Sequence, residues 1–214
     1  ALSVIAIAEK NNLFNAPETY MEKISSKVKE KHVIDLDYSI KKNISNLSDY
    51  LNKNPENLTV CLLERPRHKK IIDDLRKMKV KIKLISDGDV SGALLVTNEK
   101  YNVDLFLGIG GGPEGVLAAT ALDVFNCNFQ GRFLFETDKD KARAKIMGIK
   151  NFSKKYELNE IVSGDSIFCA TGITSGDLVS GIKIEDNQFI SETFVTHKSS
   201  GLKKTIKLKQ FIQR

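Results

Sequence analysis

The sequence predicts an α/β fold: a mostly parallel sheet with flanking helices and β-rich additions. Three observations carry that prediction. Three short apolar runs, NLTVCLLE (57–64), VKIKLIS (80–86) and VDLFLGIG (103–110), are each followed by a polar or glycine loop and then a helical pattern. Strands alternating with helices in this way build βαβ units around a parallel sheet. The 214-residue chain is 41% hydrophobic, enough to fill a core. Beyond residue 181 the pattern turns to alternation, the mark of paired strands.

Taken in order, ALSVIAIA (1–8) is a strand, closed by a turn at Asn11 and Asn12. Residues 13–20 are expected to be helical or irregular. The lysine-rich segment 23–42 is expected to be solvated. Ile44, Leu47 and Leu51 recur at helical spacing and predict a short helix. The continuous run at 57–64 is a buried strand. RPRH then leads into a helix with apolar positions at 71, 72 and 75. The strand at 80–86 passes through DGD into a helix over VSGALLVT, and the strand ending at the glycines feeds a helix reaching about residue 125. Next come a strand in FQGRFLFE, a charged helix in DKDKARAKIMGI, a strand in SIFCATGIT and the paired strands of the tail.

Composition narrows the possible partners. Lys and Arg total 33 against 27 Asp and Glu, a formal charge of +6, which suits anionic ligands. The lysines are scattered, there is no tryptophan, and there are only five tyrosines, so the stacking platforms of a nucleic-acid binder are missing. Cys61, Cys127 and Cys169 lie far apart with no CxxC spacing, which argues against a zinc site or a disulfide framework and fits a reducing, cytoplasmic setting. No apolar stretch approaches the ~20 residues of a membrane span. The opening strand has no basic leader before it, so it does not read as a signal peptide; a chain that opens inside a strand looks truncated.

The chemistry-bearing residues cluster at strand ends, where open parallel sheets bind ligands. DLFLGIGGGPEG (104–115) is expected to form a strand, a side-chain-free turn and a helix start. Such a turn brings backbone N–H groups close to an anion, and the helix N-terminus adds partial positive charge. Glu114 complicates a simple phosphate cradle. A carboxylate 4 Å from a phosphate charge is repelled by roughly 4 kcal/mol at an effective dielectric of 20, and a divalent cation between them reverses the sign. A metal-assisted phosphate site is therefore expected there. The glycines match neither the dinucleotide fingerprint nor a Walker loop.

Asp87, Gly88 and Asp89 follow a strand directly. They could orient hydroxyls or bind a divalent ion, or form an ordinary turn with an N-cap aspartate. Arg65, Arg67 and His68 surround Pro66; the guanidiniums could grip phosphate bidentately, or the loop could be a solvated basic turn. Tyr20, taken locally, is a packing residue. Thr171, Thr174 and Asp177 resemble another strand-end loop, and a structural turn is the favoured reading. His32 and His197 show no evident partners, and the cysteines fit a core.

Five segments in order, NAPETYMEK, ERPRH, SDGDV, GIGGGPEGVLAATAL and ATGITSGDL, resemble the class II, GlpX-type fructose-1,6-bisphosphatases. The resemblance runs from residue 1 to about 181. It implies the layered fold of the lithium-sensitive sugar and inositol phosphatases. It also implies metal-dependent hydrolysis, with Mn²⁺ or Mg²⁺, of the 1-phosphate of fructose-1,6-bisphosphate in gluconeogenesis. Glu114 would be a metal ligand. Tyr20, Arg65, Pro66, Arg67, Asp87, Gly88, Asp89 and Gly111 would bind substrate, Tyr20 against its local reading.

A symmetric homo-oligomer is the family expectation. On this basis residues 1–50 would be the remainder of an N-terminal α+β region, 51–182 the substrate-binding core and 183–214 a β-rich tail. Family members carry a D-P-x-E-G-T motif and earlier acidic residues, which supply most metal ligands and are not found in this sequence. The 214 residues alone are therefore expected to bind sugar phosphate weakly and to hydrolyse nothing measurable. Rival readings are a phosphatase for sedoheptulose-1,7-bisphosphate or an inositol phosphate, and a non-catalytic sugar-phosphate-binding module.

Overall fold

A computed structural model describes residues 1–212 of the chain; Gln213 and Arg214, the last two residues of the predicted tail, lie outside it. The strands are β1 (Leu2–Ala8), β2 (Tyr20–Ser26), β3 (Thr59–Leu63), β4 (Lys81–Ile85), β5 (Leu105–Gly111), β6 (Asn128–Leu134), β7 (Lys155–Glu157), β8 (Ser166–Gly172), β9 (Lys183–Glu185), β10 (Gln188–His197) and β11 (Leu202–Phe211). The helices are α1 (Ile40–Leu51), α2 (Lys69–Lys77), α3 (Asp89–Leu94), α4 (Gly112–Asp123), α5 (Asp138–Ile146) and α6 (Leu158–Ile161).

Two sheets form. One has the order β4-β3-β5-β2-β6-β7; the other runs β1-β8-β10-β11, with β9 also on β10. Helices α3 and α4 lie between them, and α4 touches both β8 and β2. An apolar core between the sheets joins Phe106, Phe129, Phe133 and Phe168 to the alanine-rich face of α4. A second core on the far side of the six-stranded sheet packs Ile24, Leu62 and Leu105 against Ile44 and Leu47 of α1 and Ile72 and Leu75 of α2.

The mixed α/β class is as predicted, but the sheet is not mostly parallel. Only β3–β4 and β3–β5 pair in parallel; the other pairings of this sheet are antiparallel, as are all those of the second. The physical reason is β2. Its Lys23 reads as solvated, yet the strand runs antiparallel between β5 and β6, with Lys23 opposite Gly108 and Gly131. Lys23 is fully buried. Its partner is an aspartate 66 residues further on, so no local pattern reveals that the charge is satisfied.

Local signals hold elsewhere. Ser39 caps α1 by accepting from the Lys42 N–H, and Thr137 and Asp140 form a capping box on α5. Asn11 takes the left-handed φ of 72° in the predicted turn. No helix among the described residues is long and apolar enough to cross a membrane. The three cysteines are free, and burial pushes the thiols of Cys61 and Cys127 up to about 12, as befits core residues.

Candidate functional site

The strands β3, β4 and β5 end side by side, and the loops that follow them line one pocket of about 810 Å³. Arg65, Arg67, Asp87, Gly88, Asp89, Gly110, Gly111 and Glu114 all face it. Tyr20 stands outside, in a neighbouring pocket of about 500 Å³ with Glu18 and Glu136; Gly111 and Glu114 border both. Pro66 lines neither pocket. It begins the single 3-10 turn Pro66–His68, where its missing N–H costs nothing.

The two arginines are held differently. Arg67 donates from Nε to the Ile109 carbonyl at 2.9 Å, and its guanidinium lies 4.9 Å from the centre of the Tyr20 ring. Tyr20 thus braces Arg67 through a cation–π contact from the second pocket. Arg65 donates to the Glu64 carbonyl at 2.9 Å and comes within 3.9 Å of Asp87. That pair is exposed and contributes little to stability.

His68 belongs to the scaffold. It is fully buried; Nδ1 lies 2.7 Å from the Leu63 carbonyl, and Nε2 lies 2.8 Å from the Ile109 N–H. These partners assign the neutral tautomer, with Nδ1–H donating and Nε2 accepting. Burial lowers its pKa below the usual histidine value. In the unfolded chain the ring charges at higher pH than in the fold. Its contribution is therefore fully present above about pH 6.5 and is lost as pH falls through the window below it. Urea midpoints measured from pH 7.5 to 5.5 should fall in the wild type, and less steeply in His68→Gln; equal slopes would refute this.

The glycine run departs most from expectation. No turn forms: Gly108 to Gly111 are strand residues, and none of the glycines from 108 to 112 has a positive φ. On one edge β5 pairs with β2 through this stretch, and the Gly112 N–H donates to the Thr19 carbonyl at 2.7 Å. The missing side chains instead make room. A Cβ on Gly108 would meet the His68 ring at 3.3 Å, one on Gly110 would overlap the Asp89 carboxylate, and one on Gly111 would overlap the Glu114 carboxylate. The run therefore stacks functional side chains against bare backbone.

The two aspartates diverge. Gly88 takes φ +93°, the left-handed region that favours glycine, and sits at the N-cap position of α3. Asp87 points to solvent, whereas Asp89 turns inward to the Lys23 ammonium. Neither aspartate caps the helix with its side chain. Among the described residues, no group of three or more His, Cys, Asp or Glu side chains comes together to hold a metal. Glu114, in the first turn of α4, offers one carboxylate.

Sequence reasoning missed one contributor and favoured a purely structural role for a second. Lys23 was hidden inside an apparently solvated segment. The loop Thr174–Val179 forms another wall of the pocket, with Asp177 held by Lys83 of β4 at 2.9 Å. Its position just after the β8 run was the available signal. His197, read as partnerless, bonds Asp165 and Ser200 in the β10–β11 turn at 2.9 and 2.8 Å. The Ser199 backbone N–H, with His197, draws the Asp165 carboxyl down to about 2.

The family described as bacterial fructose-1,6-bisphosphatase, glpX-encoded, matches residues 1–210. A Synechocystis sp. protein named D-fructose 1,6-bisphosphatase class 2/sedoheptulose 1,7-bisphosphatase is 37% identical over 196 residues, covering 86% of this chain and 57% of the relative. A Trichodesmium erythraeum protein of the same name is 32% identical over 213 residues, covering 94% of this chain and 62% of the relative. The chain spans about three-fifths of the length of these curated relatives.

Proposed function

The chain belongs to the glpX-encoded bacterial fructose-1,6-bisphosphatase family, and we propose that its pocket binds the sugar bisphosphate whose 1-phosphate is hydrolysed, fructose-1,6-bisphosphate giving fructose-6-phosphate and phosphate. The single observation that carries this reading is the convergence of Arg65, Arg67, Asp87 and Glu114 on one pocket. Two guanidiniums suit a phosphate, a carboxylate suits sugar hydroxyls, and the Glu114 carboxylate suits a divalent cation beside the phosphate.

Arg67 presents its guanidinium from a fixed plane, set by the Ile109 carbonyl and Tyr20, and grips the phosphate remote from the reacting one; Arg65 assists from the loop edge. Asp87 accepts from a sugar hydroxyl. Glu114 would hold a Mn²⁺ or Mg²⁺ ion through its one carboxylate, and the ion would supply Lewis acidity at the reacting phosphate. The described residues do not complete a donor set for that ion. The sheet–helix–sheet layering supports the lithium-sensitive phosphatase fold for the whole protein. Free cysteines and the family resemblance support a cytoplasmic enzyme, which we expect to be a homo-oligomer.

Titration calorimetry of the 214-residue chain with fructose-1,6-bisphosphate tests the binding reading. Saturable binding that weakens with added phosphate is expected, without accelerated phosphate release when Mn²⁺ is added. Failure to bind at millimolar ligand would sink the proposal; rapid hydrolysis would show that Glu114 has sufficient partners after all. The relatives' shared name also covers sedoheptulose-1,7-bisphosphate, which presents the same terminal phosphates. Relative affinities for the two bisphosphates and an inositol phosphate rank these ligands. Gly111→Ala should leave the fold intact, because only the flexible end of Glu114 must move. It should weaken Mn²⁺-enhanced bisphosphate binding about tenfold, and unchanged enhancement would remove Glu114 from the ion.

A further inference from the structure

Lys23 is the one fully buried lysine among the described residues, and its ammonium lies directly beneath the candidate pocket. It donates to Oδ2 of Asp89 and, at 2.7 Å, to the Gly111 carbonyl. Asp89 opens α3 and Gly111 is the last residue before α4, so one ammonium ties together two of the segments that line the pocket. The other oxygen of Asp89, Oδ1, is buried and has no hydrogen-bond partner among the described residues. Lys23 also lies within the electrostatic reach of Glu114 and Arg67.

Stability alone does not account for this arrangement. A buried ion pair costs desolvation on both sides, and well-packed apolar residues of similar volume often serve as well or better. The geometry points to a positioning role. We infer that Lys23 is a positioning residue of the pocket: it locks the Asp89 loop to the glycine strand and fixes the orientation of the Asp89 carboxylate. Its charge also offsets the Asp89 and Glu114 carboxylates, which would otherwise repel a phosphate. The locking stands on the fold alone; the ligand half rests on the bisphosphate reading above.

Hydrogen exchange and calorimetry on the 214-residue chain separate the two halves. Lys23→Met alone leaves a buried carboxylate uncompensated, which puts folding itself at risk. The decisive variant is therefore Lys23→Met with Asp89→Asn, which removes both charges at near-constant volume. Amide exchange in residues 87–92 and 109–114 is expected to accelerate at least tenfold in this double variant, with the β10–β11 hairpin unchanged. Affinity for fructose-1,6-bisphosphate is expected to fall at least tenfold while the melting temperature moves little. Unchanged exchange in both segments would overturn the locking role. Wild-type affinity in a loosened variant would overturn the ligand half.

A wild-type chain that binds no bisphosphate defeats the functional reading but leaves the exchange result to decide the lock. Should the double variant not fold, NMR of the wild type decides instead. A slowly exchanging Lys23 ammonium resonance coupled to the Asp89 carboxyl carbon is expected, and its absence overturns the proposal.

Discussion

Replacing Arg65 and Arg67 together by methionine is expected to reduce affinity for a sugar bisphosphate by about 10²- to 10⁴-fold, with little change in stability. Hydrogen bonds to charged groups contribute about 1.5–3 kcal/mol each, and each ~1.4 kcal/mol is a factor of ten. Arg67 should dominate. Its Nε is spent on the Ile109 carbonyl and its plane is set by Tyr20, which leaves the terminal nitrogens oriented for a ligand before it arrives. Arg67→Lys keeps the charge but loses the planar fork and the ring contact, so it should fall between wild type and the double variant. Tyr20→Leu should reproduce part of the same loss, because Tyr20 acts through Arg67. Calorimetry measures the affinities and thermal melts check the fold. An affinity within threefold of wild type for the double variant would remove the arginines from the site.

The second large effect is on folding. Gly110→Ala should cost about 3–5 kcal/mol, the loss seen when one partner of a buried ion pair is displaced. A Cβ at this position overlaps the Asp89 carboxylate, which is already held by Lys23 and cannot move aside without breaking that pair. Gly108→Ala meets only the His68 ring at 3.3 Å, and Gly176→Ala, in the loop lining the pocket, meets nothing within 4 Å. The expected order of urea midpoints is therefore Gly176→Ala near wild type, then Gly108→Ala, then Gly110→Ala. Equal midpoints for the three would show that Asp89 is free to relax.

The glycines mark the site for a different reason from the one their local pattern suggests. Four glycines before a Pro-Glu helix start suggest a phosphate cradle. In the fold Gly108, Gly110 and Gly111 lie in an extended strand, and their absent side chains admit His68, Asp89 and Glu114. Both interpretations need glycine, and sequence does not separate them, because two of the invading side chains, His68 and Asp89, come from other parts of the chain. The same non-locality hid β2. Glu22 and Lys23 sit in a strand that binary patterning cannot recognise, since the cation's partner lies on α3. Arg65, Arg67, Asp87 and Glu114 were legible for the opposite reason: each follows a strongly apolar run, and neighbouring parallel strands carry their C-terminal loops to one place. Tyr20 was legible only by family resemblance; its place behind Arg67 depends on strand pairing.

By itself the sequence determined the mixed α/β class, most of the elements and the strand-end origin of the pocket, because these follow from local periodicity and turn chemistry. Only the tertiary structure decided the antiparallel insertion of β2, the burial of Lys23 on Asp89, the divergence of Asp87 from Asp89 and the scaffold role of His68. Each of these is a contact between residues distant in the chain. Their free energies come from desolvation and pairing inside a low-dielectric interior, which no local pattern of residues records.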